Sequence, residues 1–209
     1  MRSLEKLRRD TRIARLESAL AAHRPVEAEN PLAKRAAVAI LIRLGEGDEP
    51  EIFFIQRSVY EGDPWSGQIA FPGGRAESED ASLFETAIRE TFEETEIDLR
   101  DRAQLVGALD DLGPVSVHLP AIIVRPFVFL LPESPEPVLS SEVETSFWVP
   151  LSVLLDRSVW RDTTVQARGM EMSRFAFHHK GYVVWGMTES ILSGLLRFFQ
   201  PLAGITETL

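Results

Sequence analysis

The chain has no cysteine among its 209 residues. That excludes a disulfide framework, a thiolate nucleophile and a Cys-based zinc site. Positive charge is also short: 22 Lys and Arg stand against 32 Asp and Glu, a formal net charge of −10. General nucleic-acid binding needs a basic footprint, so this balance argues against it. An acidic chain that handles phosphates must supply positive charge locally, through a metal and a few arginines. No apolar run reaches the length of a transmembrane helix, and the N-terminus lacks a signal-peptide h-region, so no membrane association and a cytoplasmic location are expected. Internal repeats, low-complexity segments and long linkers are absent too. What remains is 44% hydrophobic and 26% charged, an ordinary globular composition with enough length for one well-packed domain.

The chain is organised around GGRAESEDASLFETAIRETFEETEI, Gly73 to Ile97. A glycine pair opens it, as a turn needing positive φ or close backbone approach would. Asp80 is a candidate N-cap for a helix from about Ala81 to Thr95. On a helical wheel centred on Phe84, residues Ala81, Ala87, Ile88, Thr91, Phe92 and Thr95 fall within about 80° and form one buried stripe. Glu90, Glu93 and Glu94 cluster on the opposite side, with Leu83 the one apolar residue there. Like charges at i, i+4 spacing, such as Glu90 and Glu94, cost a helix a few tenths of a kcal/mol, roughly. The cluster is either a solvated acidic face or the holder of a divalent cation such as Mg²⁺ or Mn²⁺, which prefers carboxylate and water oxygens. Arg89 has Glu93 within i+4 reach and Glu85 within i−4 reach, and is placed to hold the Glu93 carboxylate.

Gly74, Arg89-Glu90 and Glu93-Glu94 together resemble the Nudix box, G-x5-E-x7-R-E-U-x-E-E-x-G-U. The R-E-x-x-E-E core matches in full. Fourteen residues separate Gly74 from Arg89 where the strict box has thirteen. Asp80 takes the place of the early glutamate, Thr91 that of the aliphatic residue after R-E, and Glu96 that of the late glycine, which removes the easy αL stop. The resemblance implies an α/β fold, a Nudix-like α/β/α sandwich with a mixed β-sheet between helices. It also implies hydrolysis of a nucleoside diphosphate derivative with Mg²⁺ or Mn²⁺. In that reading Glu90 and Glu94 hold metal, Glu93 is a third ligand or water-positioning base, the Gly74 carbonyl is a further ligand, and Glu142, with Glu144 as runner-up, is a base from outside the box. An outward, purely polar role on an alternating strand is the competing reading for both.

Arg57-Ser58, a short loop, and Gly67-Gln68-Ile69-Ala70-Phe71-Pro72-Gly73-Gly74 resemble the segment before the box in coenzyme A pyrophosphatases. Tyr182–Thr188 and the Ser141–Val143 and Phe147–Pro150 pieces are similar to other parts of that subfamily. The subfamily's arginine between R-S and the last glycine is replaced here by Gly62 or Asp63. Arg57, Gln68 and Gly73 are candidate contacts to substrate phosphate or the metal shell, with a structural salt bridge the alternative for Arg57. The Asp110–His118 loop is placed to act as a lid. His178 and His179 face opposite sides of a strand and are not read as ligands.

Elsewhere, residues 1 to 24 read as one amphipathic helix, and 1–30 as helix plus linker ahead of a single domain over 31–209. Strands are expected over 36–44, 51–57, 68–71, 104–109, 121–131 and 142–149, with Pro126 forcing an edge position or a bulge. A hairpin is expected around Lys180-Gly181, then a closing helix over 188–199. The two terminal helices suit a homodimer or a monomer equally, and the expected partner is a small nucleotide.

Overall fold

The computed structural model describes residues 2–62, 65–113, 121–167 and 170–199. Instead of one N-terminal helix there are two, α1 (Arg2–Leu7) and α2 (Thr11–Ala22). Asp10 breaks the run because its carboxylate caps the second helix, accepting the Arg12 N–H at 2.8 Å and satisfying a donor that a helix start leaves free. Leu7, Ile13, Leu16 and Leu20 are buried, so both helices spend their apolar stripe on the chain's own core.

Seven strands form a mixed sheet: β1 (Lys34–Leu44), β2 (Pro50–Arg57), β3 (Ile69–Ala70), β4 (Gly73–Arg75), then, after α3 (Leu83–Thr95), β5 (Gln104–Ala108), β6 (Ile122–Leu130) and β7 (Val143–Pro150). β1 and β6 run parallel and the other pairs are antiparallel. β1 and β2 pair only where Ile42–Leu44 meets Pro50–Ile52, and then splay apart. β3 pairs with β2 and β4 with β1 inside that fork. The fork brings the segment before α3 against the middle of the sheet, and the candidate site forms there.

The continuous apolar run of β1 reflects burial on both faces. Ile40 and Ile42 pack with α1, α2 and α5 (Gly186–Leu196), whereas Ala37, Ala39 and Leu41 pack with Ala87 and Ile88 of α3. This is the expected α/β/α sandwich. Pro126 lies in an interior strand, not on an edge. Leu109 donates to its carbonyl at 2.9 Å, but Pro126 has no N–H to return the bond, and β5 ends there. The irregularity sits in β5, whose register shifts between Leu105 and Gly107.

After the short α4 (Leu151–Leu154) comes a second sheet that the sequence reading caught only in part. β8 (Trp160–Ala167), β9 (Met170–His179) and β10 (Tyr182–Val184) stand in the order β10-β9-β8. The β9–β10 hairpin was expected; β8 was not, because WRDTTVQA carries no apolar alternation and, over Trp160–Val165, only Val165 is buried. α5 begins at Gly186, two residues before its expected start. Among the described residues no helix is long and apolar enough to cross a membrane.

Candidate active site

α3 starts at Leu83, two residues later than expected. Ser82 is the N-cap, its hydroxyl accepting the Glu85 N–H at 3.3 Å. Asp80 is drawn elsewhere by a stronger partner. Arg89 grips its carboxylate with two parallel bonds, Nε and Nη2 each at 2.9 Å, and such charge-assisted forks outrank a single cap N–H. Those bonds hold the Asp80 carboxyl well below the usual carboxylate range. The same guanidinium donates to Glu90 Oε1 at 3.1 Å, Glu93 Oε2 at 3.0 Å and the Arg75 carbonyl at 3.0 Å. Arg89 thus ties the loop before α3 to the acidic face. Glu85, also within its reach, pairs with Arg100 instead.

The buried stripe of α3 is rotated from the expected one. Ala87, Ile88, Thr91 and Thr95 are buried as expected, but Phe92 is 50% exposed while Glu94 is only 3% exposed. At the far end, Glu96 itself adopts the αL conformation (φ 54°, ψ 15°) and donates to the Phe92 carbonyl at 2.8 Å. The stop survives without glycine, at a cost of about 1 kcal/mol for the Cβ.

The glycine pair is strand β4, not a turn, though both expected reasons for glycine apply. Gly73 has φ +148°, and a Cβ there would lie 2.3 Å from the Ala37 carbonyl oxygen. A Cβ on Gly74 would lie 2.4 Å from the Glu90 carboxyl carbon. Ladder parity corrects the choice of backbone ligand. Bonds from Ala39 N to Pro72 O and from Ala76 N to Arg35 O flank the Ala37–Gly74 pair. That pair is therefore the hydrogen-bonded one, and the Gly74 carbonyl is committed to β1. Gly73 faces the other way, and its N–H donates to Glu94 Oε2 at 2.9 Å. Its carbonyl, not that of Gly74, shares the side of Glu94.

A cleft of about 520 Å³ brings together Arg57, Gln68, Gly73, Gly74, Arg89, Glu90, Glu93, Glu94 and Glu142, which are all the candidate catalytic, metal and phosphate-contacting residues named from sequence except Glu144, whereas Asp110–Gly113 of the expected lid are not in its lining. A register slip between Gln56 and Arg57 leaves Glu144 without a partner opposite it and out of the lining. Burial pushes the Glu94 carboxyl up to about 8, the Gly73 N–H and Arg57 (Nη1 to Oε1, 3.8 Å) oppose that, and Glu90 and Glu142 add to it. Burial raises Glu90 as well. Among the described residues no three acidic or histidine side chains already converge on one ion position. The donors are nevertheless all oxygens, and a divalent cation would favour the ionised carboxylates that burial, and to a lesser degree the neighbouring carboxylates, disfavour at Glu90 and Glu94. The set fits a hard ion such as Mg²⁺ or Mn²⁺.

His178 and His179 stand outside the cleft lining. Residues 114–118 of the expected lid, and Asp63 of the altered loop, lie outside the described residues. The sequence reading missed Arg75, and it missed the contribution of Met187, Thr188 and Ile191 from α5 to the same cleft. Thr188 seats that helix by donating to the Ile69 carbonyl at 2.9 Å. The Tyr182–Thr188 junction was the available signal for α5.

With this arrangement established, comparison with known proteins is decisive: the NUDIX domain family model matches residues 33–168. The chain belongs to the Nudix family. Among its relatives is the protein named uncharacterized Nudix hydrolase NudL from Enterobacter sp., 32% identical over 173 residues, covering 82% of this chain and 86% of that protein. An uncharacterized protein of Schizosaccharomyces pombe, C14C4.10c, is 39% identical over 141 residues, which cover 58% of this chain but 43% of that longer protein. A solved MutT/nudix family protein from Enterococcus faecalis shares the fold at a TM-score of 0.53 and 16% identity, over 92% of this chain and 72% of that one. This Nudix hydrolase therefore carries the family's mixed sheet and its box helix, with α3 supplying Glu90, Glu93 and Glu94 to the cleft and β4 running beside them.

Proposed function

We propose that this Nudix hydrolase cleaves the pyrophosphate bond of a nucleoside diphosphate derivative with Mg²⁺ or Mn²⁺. The favoured substrate is coenzyme A or an acyl-coenzyme A, giving 3′,5′-ADP and 4′-phosphopantetheine or its acyl form. The observation that carries the reading is the meeting of Glu90, Glu93, Glu94 and Glu142 with Arg57 and Gln68 in one cleft. The coenzyme A choice is supported by the Arg57-Ser58 and Gly67–Gly74 segments, which run along that cleft as the end of β2 and the β3–β4 strip.

Glu90 and Glu94 would hold the cation, with the Gly73 carbonyl on their side. Bound Mg²⁺ or Mn²⁺ would supply charge neutralisation at the phosphates and a lowered pKa for the attacking water. Arg57 and Gln68 bind and orient the phosphates. Glu93, held by Arg89, orients the water, and Glu142, whose carboxylate makes no hydrogen bond among the described residues, accepts its proton. The water oxygen forms the new bond to one phosphorus while the bridging P–O bond breaks, leaving the second phosphate as an anion. The altered loop between Arg57 and Gly67 favours a second reading, another substrate of this class such as NADH or ADP-ribose. A panel of these three compounds, with products identified by ³¹P NMR, separates the readings. Glu142→Gln is expected to lower kcat about 10²-fold with little change in KM. Unchanged turnover removes Glu142 from the mechanism, and binding of a nucleotide without any turnover supports a regulatory binding domain instead.

A further inference from the structure

Among the described residues three arginines line the cleft, and two are visibly engaged: Arg89 holds Asp80, Glu90 and Glu93, and Arg57 faces Glu94. The third, Arg75, is exposed, and its guanidinium makes no hydrogen bond or ion pair among the described residues. Strand register fixes which side of the sheet it serves. Directly opposed residues of an antiparallel pair project from the same face. Gly74 stands opposite Ala37, whose side chain packs with α3, and a Cβ on Gly74 would meet Glu90. Arg75 stands opposite Ala36, which belongs to the other face with Val38. β4 therefore separates Arg75 from the α3 carboxylates. On its own side the cleft is lined by Ala36, Val38, Val124, Met187 and Ile191. Arg75 is thus an unengaged cation at the edge of an apolar half-cleft, across a strand from the site of hydrolysis.

We infer that Arg75 is a specificity-determining residue that binds a phosphate of the substrate remote from the scissile pyrophosphate, while the apolar half beneath α5 takes the uncharged body of the same moiety. This rests on the proposed pyrophosphohydrolase reading and deepens it. The cleft would then prefer a dinucleotide-like substrate bearing a third phosphate over the same molecule without it. Among the described residues the Arg75 side chain makes no structural bond, so its substitution is expected to leave the fold intact; an unchanged Tm checks this.

The test compares wild type with Arg75→Ala and Arg75→Lys on pairs that differ by one phosphate: coenzyme A against dephospho-coenzyme A, and NADPH against NADH. Binding of 3′,5′-ADP against 5′-AMP is measured in parallel by calorimetry, a readout that needs no turnover. Loss of one charge-assisted contact is expected to raise KM, or Kd, for the phosphorylated member about 10- to 100-fold in Arg75→Ala. The other member and kcat stay within about twofold, and Arg75→Lys recovers most of the loss because the point charge remains. An equal rise for both members places Arg75 on the pyrophosphate and overturns the inference. A wild type with no preference within any pair overturns it too. If coenzyme A is not cleaved but the phosphate preference in binding is lost in Arg75→Ala, the substrate reading fails and the Arg75 inference stands.

Discussion

At Gly73 an added methyl meets backbone, 2.3 Å from the Ala37 oxygen and 2.6 Å from the Val38 Cα, at a φ of +148°. At Gly74 it meets the end of a flexible side chain, the Glu90 carboxylate, at 2.4–2.5 Å. The two alanine variants are therefore expected to fail differently. Gly73→Ala forces β4 away from β1 and holds a residue in a strained conformation; backbone strain of this kind costs about 1–3 kcal/mol and overpacking about as much again, so a loss of about 3 kcal/mol or more is expected. For a chain of this size that is roughly 6–12 °C in Tm. Gly74→Ala is relieved by rotating Glu90, so its stability stays within about 1 kcal/mol of wild type. The carboxylate, however, leaves its place by about 1 Å, and a displacement of that size costs about 10²-fold in rate. Urea or thermal unfolding and steady-state kinetics on both variants provide the check. A Gly74→Ala enzyme with full turnover, or a Gly73→Ala enzyme as stable as wild type, refutes the packing argument for this pair.

The Asp111 side chain is fully covered and takes Arg125 Nε at 2.6 Å, Arg35 Nη2 at 2.9 Å and the Ala28 N–H at 3.0 Å. Burial pushes its carboxyl up, but the bonds from Arg125 and Ala28 outweigh that and hold it below the usual range. A depressed folded-state pKa gives stability that is complete above the unfolded value of about 4 and lost as pH falls through the folded one. Asp111→Asn is expected to unfold about 2 kcal/mol or more sooner at pH 7 and to lose less than wild type below about pH 4; parallel acid limbs contradict this. Glu96→Gly removes the Cβ from an αL position and is expected to stabilise the fold by about 0.5–1 kcal/mol with activity unchanged, as measured by urea unfolding; destabilisation contradicts it.

The strands β1 and β6 were legible because burial on both faces leaves a continuous apolar run, and the acidic face of α3 because its charges recur at helical spacing. Where one residue answers two demands, the pattern misleads. Asp80 looks like a cap until Arg89, nine positions away, claims it. Glu94 looks exposed on a wheel, yet the Gly73 N–H and the β4 fork draw it inward. β8 left no trace because its sequence does not alternate and, over Trp160–Val165, only Val165 is buried. The choice between the Gly73 and Gly74 carbonyls depends on ladder parity, which composition does not encode. Arg75 was passed over because its role depends on which face of the sheet it occupies, and a single residue beside a glycine pair carries no such information.

The most direct test of the central claim, that the α3 carboxylates and a divalent cation hydrolyse a pyrophosphate bond, is turnover of coenzyme A, NADH and ADP-ribose with Mg²⁺ or Mn²⁺. Wild type is run beside Glu94→Gln and beside a chelator-treated sample. The expected result is cleavage of at least one compound into two phosphomonoesters, stopped by chelation, restored by added metal, and slowed about 10²-fold or more by the substitution. Turnover that persists without metal, or that Glu94→Gln leaves undiminished, contradicts the account.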